Sequence, residues 1–393
     1  MSDHALLSPS SAHRWLNCSL APRLEAQLPE KPSKDADIGT LAHSVCEISA
    51  KKRFKKVKAA EYNKVIKKLK ADKLWDEEML STAEVYVDHL SERAMKFEHE
   101  PYIAFEVKVD VSDYAPGAFG RCDCVMFGDG VLVITDYKNG KGVTVAAEEN
   151  PQLMLYALGA LKLYKPIFGE TIQQIEICID QPRLELYSTW SCSIDDLLKW
   201  GATVKPKADM AFMGFGEYHA GEWCRFCRAN GICKEQAKQH TSAFEDFAGA
   251  VGQPAGVLTP NEVSEILNRG KPFVEWFKQV EQQALDLTLS GVPIPGYKAI
   301  EGSSNRVWSN QDKALEALVN AGIDRAVIYD NVPKSLAQLE KLLGKTKFNE
   351  LVGSFVVKPQ GNPKLAAADD KHPDYNSAVA DFAAVANENN NGN

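Results

Sequence analysis

Apolar positions recur at helical spacing through the first hundred residues and alternate after them. The opening SPSS places Ser8 at a cap and Pro9 in a first helical position, which predicts a short helix carrying Trp15 and Cys18. A second helix is expected from about Gly39-Thr40, with His43 and Glu47 one turn apart, and residues 51–73 and 75–98 continue the helical period. The period then changes. PYIAFEVKVDV alternates as a strand, and GRCDCVMFGDGVLVITDYKNG holds two apolar runs around Asp129-Gly130. NPQLMLYALGALKLY predicts a helix with Asn150 as cap and Pro151 in the first turn; TIQQIEICIDQ and RLELYSTWSC predict two further strands, and DDLLKWGATVKPKADMAF another helix. Gly, Pro and small residues cluster in AGAVGQPAGVLTP, after which Thr259-Pro260-Asn261-Glu262 has capping-box spacing and starts a helix to about residue 289. The expectation is an α/β layer fold over residues 1–247, a mainly helical region over 258–357 and a mobile tail over 358–393.

The Asp-Gly loop sets a register. Both central residues of a type I′ turn need positive φ, and Asp-Gly supplies them. Gly128 then pairs with Val131, Val125 with Ile134, and Asp123 with Asp136. Alternation puts Asp123, Val125, Phe127, Leu132, Ile134, Asp136 and Lys138 on one face. Two like charges directly opposite each other destabilise a sheet, so a salt bridge to Lys138 is a weaker explanation than a divalent cation between the carboxylates.

Composition permits such a site. At 393 residues, 45% apolar and 25% charged, the chain has room for two or three domains and a substantial core. No apolar run is long enough to span a membrane, and the start MSDHALLSPSSAHRW lacks the charged and apolar regions of a secretory signal, so a cytoplasmic location is expected. The net charge of −8 argues against general nucleic-acid affinity. Locally the balance reverses: residues 51–73 hold eleven Lys or Arg against two acids. Lys51, Lys52, Arg53, Lys55 and Lys56 are candidate phosphate contacts, set against a solvated helix face. Among nine cysteines, Cys224, Cys227 and Cys233 form a Cys-x2-Cys-x5-Cys array, whereas Cys46, Cys122, Cys124, Cys178 and Cys192 sit in apolar contexts that suit small core residues. In a reducing compartment such an array reads as metal or cluster binding.

His43 in GTLAHSVCE, Glu106 in FEVKV, Asp123 in GRCD, Asp136-Tyr137-Lys138, and Gln152 with Tyr156 in QLMLYA follow the motif order of RecB-type nucleases of the PD-(D/E)XK superfamily. Over residues 8–240 the chain resembles the phage-encoded branch of that family, related to CRISPR adaptation nucleases. It departs from the simplest superfamily pattern in that Thr135 precedes Asp136 and the paired acid is Asp. The resemblance implies a mixed sheet flanked by helices and a metal-dependent DNA nuclease, an exonuclease acting on DNA ends or single strands in phage recombination or replication. A recombinase or single-strand-binding protein is its implied partner, and the host cytoplasm its implied setting. The implied Mg or Mn ligands are His43, Asp123, Asp136 and the carbonyl of Tyr137. Lys138 orients water or neutralises the phosphate; Gln152 and Tyr156, one turn apart on a helix face, position it. In AddB-type relatives one cysteine before the nuclease motifs and three after them hold a 4Fe-4S cluster, which assigns Cys18 as the fourth ligand beside Cys224, Cys227 and Cys233. Structural zinc is the rival for the same four thiolates. The alternative function is a non-catalytic module binding DNA or a partner on the same fold. Trp276, Phe277 and GYKAIEGSSNRVW read equally as the core of a small module or as a binding surface.

Overall fold

The computed structural model describes residues 5–29, 33–168, 171–250, 258–300, 320 and 344–347, with the side chains of 243–250 outside that description. The chain divides into a unit spanning Met1–Ile300 and a second spanning Glu301–Asn393. The short helices expected beyond residue 300 and the tail at 358–393 lie almost wholly outside the described residues, as does most of the Gly/Pro cluster expected as a boundary.

The first unit begins with a short turn of helix, Pro9–Ser11, then α1 (Ala12–Asn17) and α2 (Ala21–Glu25). Ser8 contributes here through its carbonyl, which accepts from Trp15 Nε1 at 3.1 Å, while its hydroxyl makes no capping bond to the backbone. Cys18 closes α1, its amide bonded to the Arg14 carbonyl at 2.8 Å. Next come α3 (Lys34–Phe54), α4 (Ala59–Lys70) and α5 (Glu78–Ala94). α3 starts earlier than the expected Gly39-Thr40, because Ser33 accepts from the Ala36 amide and Asp35 and Asp37 suit the positive end of the helix dipole.

Five strands follow: β1 (Tyr102–Asp110), β2 (Phe119–Gly128), β3 (Val131–Tyr137), β4 (Gln174–Gln181) and β5 (Leu186–Ser193). They form one sheet in sequence order, antiparallel throughout except for the parallel pair β3 and β4. A parallel pair needs a crossover, and α6 (Pro151–Phe168) supplies it, with Asn150 Oδ1 accepting from the Leu153 amide at 3.3 Å. α7 (Ile194–Met213) is capped by Ser193. α8 (Lys234–Ala250) and α9 (Pro260–Leu289) complete the unit, and the capping box of Thr259 and Glu262 is formed.

Asp129 and Gly130 have φ of 48° and 78°, as a type I′ turn requires, and β2 pairs with β3 in the expected register from Gly128–Val131 to Cys124–Thr135. One face of the sheet packs Val125, Phe127, Leu132 and Ile134 against α6 residues such as Leu153 and Leu155; the other packs Cys124, Met126, Val133 and Tyr137 against Leu41, Val45, Tyr86 and Leu90 of α3 and α5. Helices therefore cover both faces of a mixed sheet.

The expected alternation fails at one place. Cys122 belongs to the α6 side and Cys124 to the α3 side, although residues two apart in a regular strand share a face. Opposite them, Val107 and Phe105 make the same switch. The residue between them, Glu106, has a φ of 53°, unusual for a side chain of its kind. β1 and β2 thus exchange faces at Glu106 and Asp123, so Asp123 does not simply share the face of Val125.

Candidate metal centre

Continuing the two strand registers puts Glu106 opposite Asp123 and Asp123 opposite Asp136, three acids in a row across β1, β2 and β3. The local exchange of faces lets this row look toward both helical layers. From α3, His43 Nδ1 approaches Asp123 Oδ1 at 3.1 Å, and the other Asp123 oxygen accepts from the Tyr137 amide at 2.7 Å. From α6, Gln152 Nε2 reaches Asp136 Oδ1 at 3.4 Å and the Tyr156 hydroxyl at 3.1 Å. Lys138 joins the two halves, 2.9 Å from Asp136 Oδ2 and 3.2 Å from Gln152 Oε1.

Ligand atoms of His43, Glu106 and Asp123 lie within 4.8 Å of one another. Glu106 is the residue to which motif order gave a place but no role. Its signal in sequence is register alone, a carboxylate that falls opposite Asp123 once β1 is paired with β2. Asp136, expected as a metal ligand, is tied to Lys138 beside this group. Tyr137 contributes its amide to Asp123, and its ring meets that of His43 edge-on at 5.5 Å.

Each acid has one basic neighbour, Glu106 having Arg121 at 3.4 Å, Asp123 His43 and Asp136 Lys138, yet the row of acids still repels itself. Burial raises the Glu106 carboxyl above its ordinary value, and Asp123 and Glu47 add to the rise. Burial likewise raises Asp136, with Lys138 opposing and Asp123 reinforcing. Burial opposes a charge on His43, but the attraction and hydrogen bond of Asp123 outweigh it and hold the imidazole at about 9. Glu106 and Asp136 resist ionising because they are buried and because Asp123 lies beside them, and the histidine compensates by taking a proton. A divalent cation would do that work better. Oxygen ligands with one imidazole nitrogen suit Mn or Mg.

His43 therefore makes metal binding pH-dependent. The ligand must be neutral, so the metal displaces its proton. Mn titrations at pH 7 in buffers of different ionisation enthalpy should show release of about one proton, and affinity should rise with pH until about 9. His43→Gln should abolish the release; no release from the wild type would exclude His43 as a ligand. In the metal-free protein the sign reverses. While Asp123 is ionised, the raised imidazole stabilises the fold fully below pH 6.5, and that contribution is lost as pH climbs through about 9.

Gly120 shows how tightly α6 is set over the acids. A Cβ there would strike the Tyr156 ring and come within 3.2 Å of Pro9 Cγ. The glycine of GRCD thus lets the helix carrying Gln152 and Tyr156 lie on β2.

The four candidate cluster ligands also converge. Cys18, Cys224, Cys227 and Cys233 line one small pocket of about 10 Å³ with Trp223 and Asn230. Burial raises the Cys224 thiol, with Cys18 and Cys233 adding to the rise; Cys227 is pushed up to about 12 by burial and by Glu25. All four are free thiols. Buried Glu25 ties the two ends of the domain together here, paired with Arg14 at 2.8 Å and accepting from the Arg228 amide at 2.8 Å. α9 packs on the same segment, where Gln283 donates to the Arg228 carbonyl at 2.8 Å.

Four of the five candidate phosphate contacts already have neighbouring partners. Lys51 pairs with Glu47 at 2.5 Å and Arg53 with Asp88 at 2.9 Å, while Lys52 lies 4.1 Å from the centre of the Tyr62 ring and Lys55 5.8 Å from that of Tyr102. Lys56 follows α3 with a φ of 53°. No helix among the described residues is long and apolar enough to cross a membrane.

Among solved structures, the crystal structure of SSO0001 is similar over 57% of this chain and 96% of that chain, at 13% identity and a TM-score of 0.24, a likeness too low to carry an argument. The family whose model matches residues 4–373 is described as a protein of unknown function, DUF2800, and this chain belongs to it.

Proposed function

We propose that the protein is a metal-dependent deoxyribonuclease with a RecB-like PD-(D/E)XK core, an exonuclease acting on DNA ends. The observation that carries the reading is the row of Glu106, Asp123 and Asp136 across three strands, with His43 on one side and Lys138 on the other. Hydrolysis adds water to phosphorus, breaks the bond to the leaving sugar oxygen and returns a proton to that oxygen. His43, Glu106 and Asp123 would hold a divalent ion, which would supply an activated water and relieve charge at the phosphate. Lys138 is the residue available to hold the attacking water or a phosphate oxygen, since Asp136 and Gln152 fix its amine beside the acids. Tyr156 keeps Gln152 from turning away. Purified protein incubated with end-labelled single- and double-stranded DNA should cut with Mg or Mn and stop with EDTA. DNA binding without metal-dependent cutting would support a binding module instead.

The cysteine pocket supports a 4Fe-4S cluster in the same reading, with four-thiolate zinc as its rival. Anaerobically purified protein should be brown and contain iron and sulfide, whereas colourless protein with stoichiometric zinc would favour the rival. Cys18→Ala should strip the metal from an otherwise folded chain, because Glu25 still bridges Arg14 and Arg228. Limited proteolysis should open residues 1–30 when Glu25→Ala is added. Full metal content in Cys18→Ala would remove Cys18 from the ligand set.

A further inference from the structure

A pocket of about 270 Å³ is lined by residues of α3, of the α4–α5 loop, of the first turn of α5 and of the segments after β3 and β4. We infer that it holds one nucleotide unit of a single DNA strand, its base against Trp75 and its phosphate on Lys34 and Lys73. The identity of the strand rests on the nuclease reading.

The pocket and the acids share a wall. Ile38 lines the pocket and His43 reaches Asp123 from the same helix, about one and a half turns on. On the opposite side Asn139, the next residue after Lys138, lines the pocket too, and its Oδ1 lies 3.1 Å from the Tyr137 hydroxyl.

The lining has the chemistry of a flat ring joined to an anion. Ile38, Leu74 and Met79 give apolar surface beside the Trp75 indole, which has Lys70 Nζ 5.3 Å from its ring centre, and bases stack on aromatic rings without regard to sequence. Of the two acids in the lining, Glu78 is neutralised by Arg183 at 2.7 Å and Lys141 at 3.0 Å, and Asp76 Oδ1 accepts from the Glu78 amide at 3.0 Å. Lys34 and Lys73 are exposed and enter no ion pair among the described residues. Two lining residues also carry buried donors with no acceptor, Trp75 Nε1 and Arg183 Nε. Unused donors, unpaired cations and an indole together ask for acceptor oxygens beside an aromatic ring.

The test is binding in EDTA, which separates it from cleavage. Fluorescence anisotropy of the full-length protein with a short labelled single-stranded oligodeoxynucleotide should show about tenfold weaker binding for Trp75→Ala. Lys34→Glu with Lys73→Glu, both on the surface and safe for folding, should flatten the salt dependence by about 0.7 in log–log slope for each phosphate no longer neutralised. An oligonucleotide carrying bromodeoxyuridine should photocrosslink to Trp75. Wild-type binding by both variants, or a crosslink confined to other residues, would overturn the inference. So would competition by free dAMP as effective as by the oligonucleotide, since a free nucleotide would then be the occupant. If Trp75→Ala loses binding in a protein that never cuts DNA, the pocket stands and the nuclease reading falls. If Trp75→Ala binds normally in a protein that cuts with Mg or Mn, the reverse holds.

Discussion

Asp123→Asn should lower DNA cleavage at least about a thousandfold, equivalent to about 4 kcal/mol of transition-state stabilisation, while leaving the fold in place. Asparagine keeps the carbonyl that accepts from the Tyr137 amide, so the β2–β3 junction retains its 2.7 Å hydrogen bond. What it loses is the charge. That charge faces His43 at 3.1 Å and lies opposite both neighbouring acids, so its removal relieves repulsion on Glu106 and Asp136 in the metal-free protein. The lost attraction to His43 offsets that relief, so thermal stability should move little as activity collapses. Lys138→Ala should separate the roles differently, sparing metal affinity and damaging rate. Cleavage at the wild-type rate by Asp123→Asn would show that the chemistry happens elsewhere.

Arg93→Ala should cost about 3 to 5 kcal/mol, a large share of the roughly 5 to 15 kcal/mol that holds a typical domain together. Asp180 is fully buried in β4 and is held by both guanidinium nitrogens of Arg93, at 2.7 and 2.5 Å. Besides Arg93, the His89 ring lies near it, with Nδ1 3.7 Å from Oδ2. Removing the guanidinium leaves a carboxylate that cannot reach water. Arg93→Met combined with Asp180→Leu should recover most of the loss, because a buried pair replaced by packed apolar groups is near neutral. The Asp180 carbonyl accepts from the Lys138 amide at 2.8 Å through the backbone, so the double variant should still cut DNA. Urea unfolding measures both variants. A cost under about 1 kcal/mol for Arg93→Ala would place Asp180 in contact with solvent.

Much of this was legible because local rules act without help from tertiary structure. Asp129-Gly130 dictated a type I′ turn, the turn dictated the β2–β3 register, and the register brought Asp123 opposite Asp136. The capping box at Thr259 and the Asn150 cap of α6 are equally local. The face exchange at Glu106 was not legible. Ile103, Phe105, Val107 and Val109 alternate without a break in sequence, and only the φ of 53° at Glu106 turns the strand over. Such a conformation costs about 1 to 3 kcal/mol and persists where the surroundings impose it. Asp180 offered the same sign as Asp136, an acid at the end of an apolar strand, but its partner Arg93 lies on a helix far away in sequence. Lys51 to Lys56 look from sequence like a free cationic face, whereas Glu47, Asp88 and two tyrosine rings already engage four of them.

The central claim is that DNA is cut at a metal held by His43, Glu106 and Asp123. Anomalous diffraction from crystals grown with Mn and a phosphorothioate oligonucleotide tests it most directly. The expected map has manganese among those three side chains, a phosphate oxygen of the DNA bound to it and the Lys138 amine beside the same phosphate. Manganese elsewhere, or at the site with the DNA bound away from it, would contradict the account.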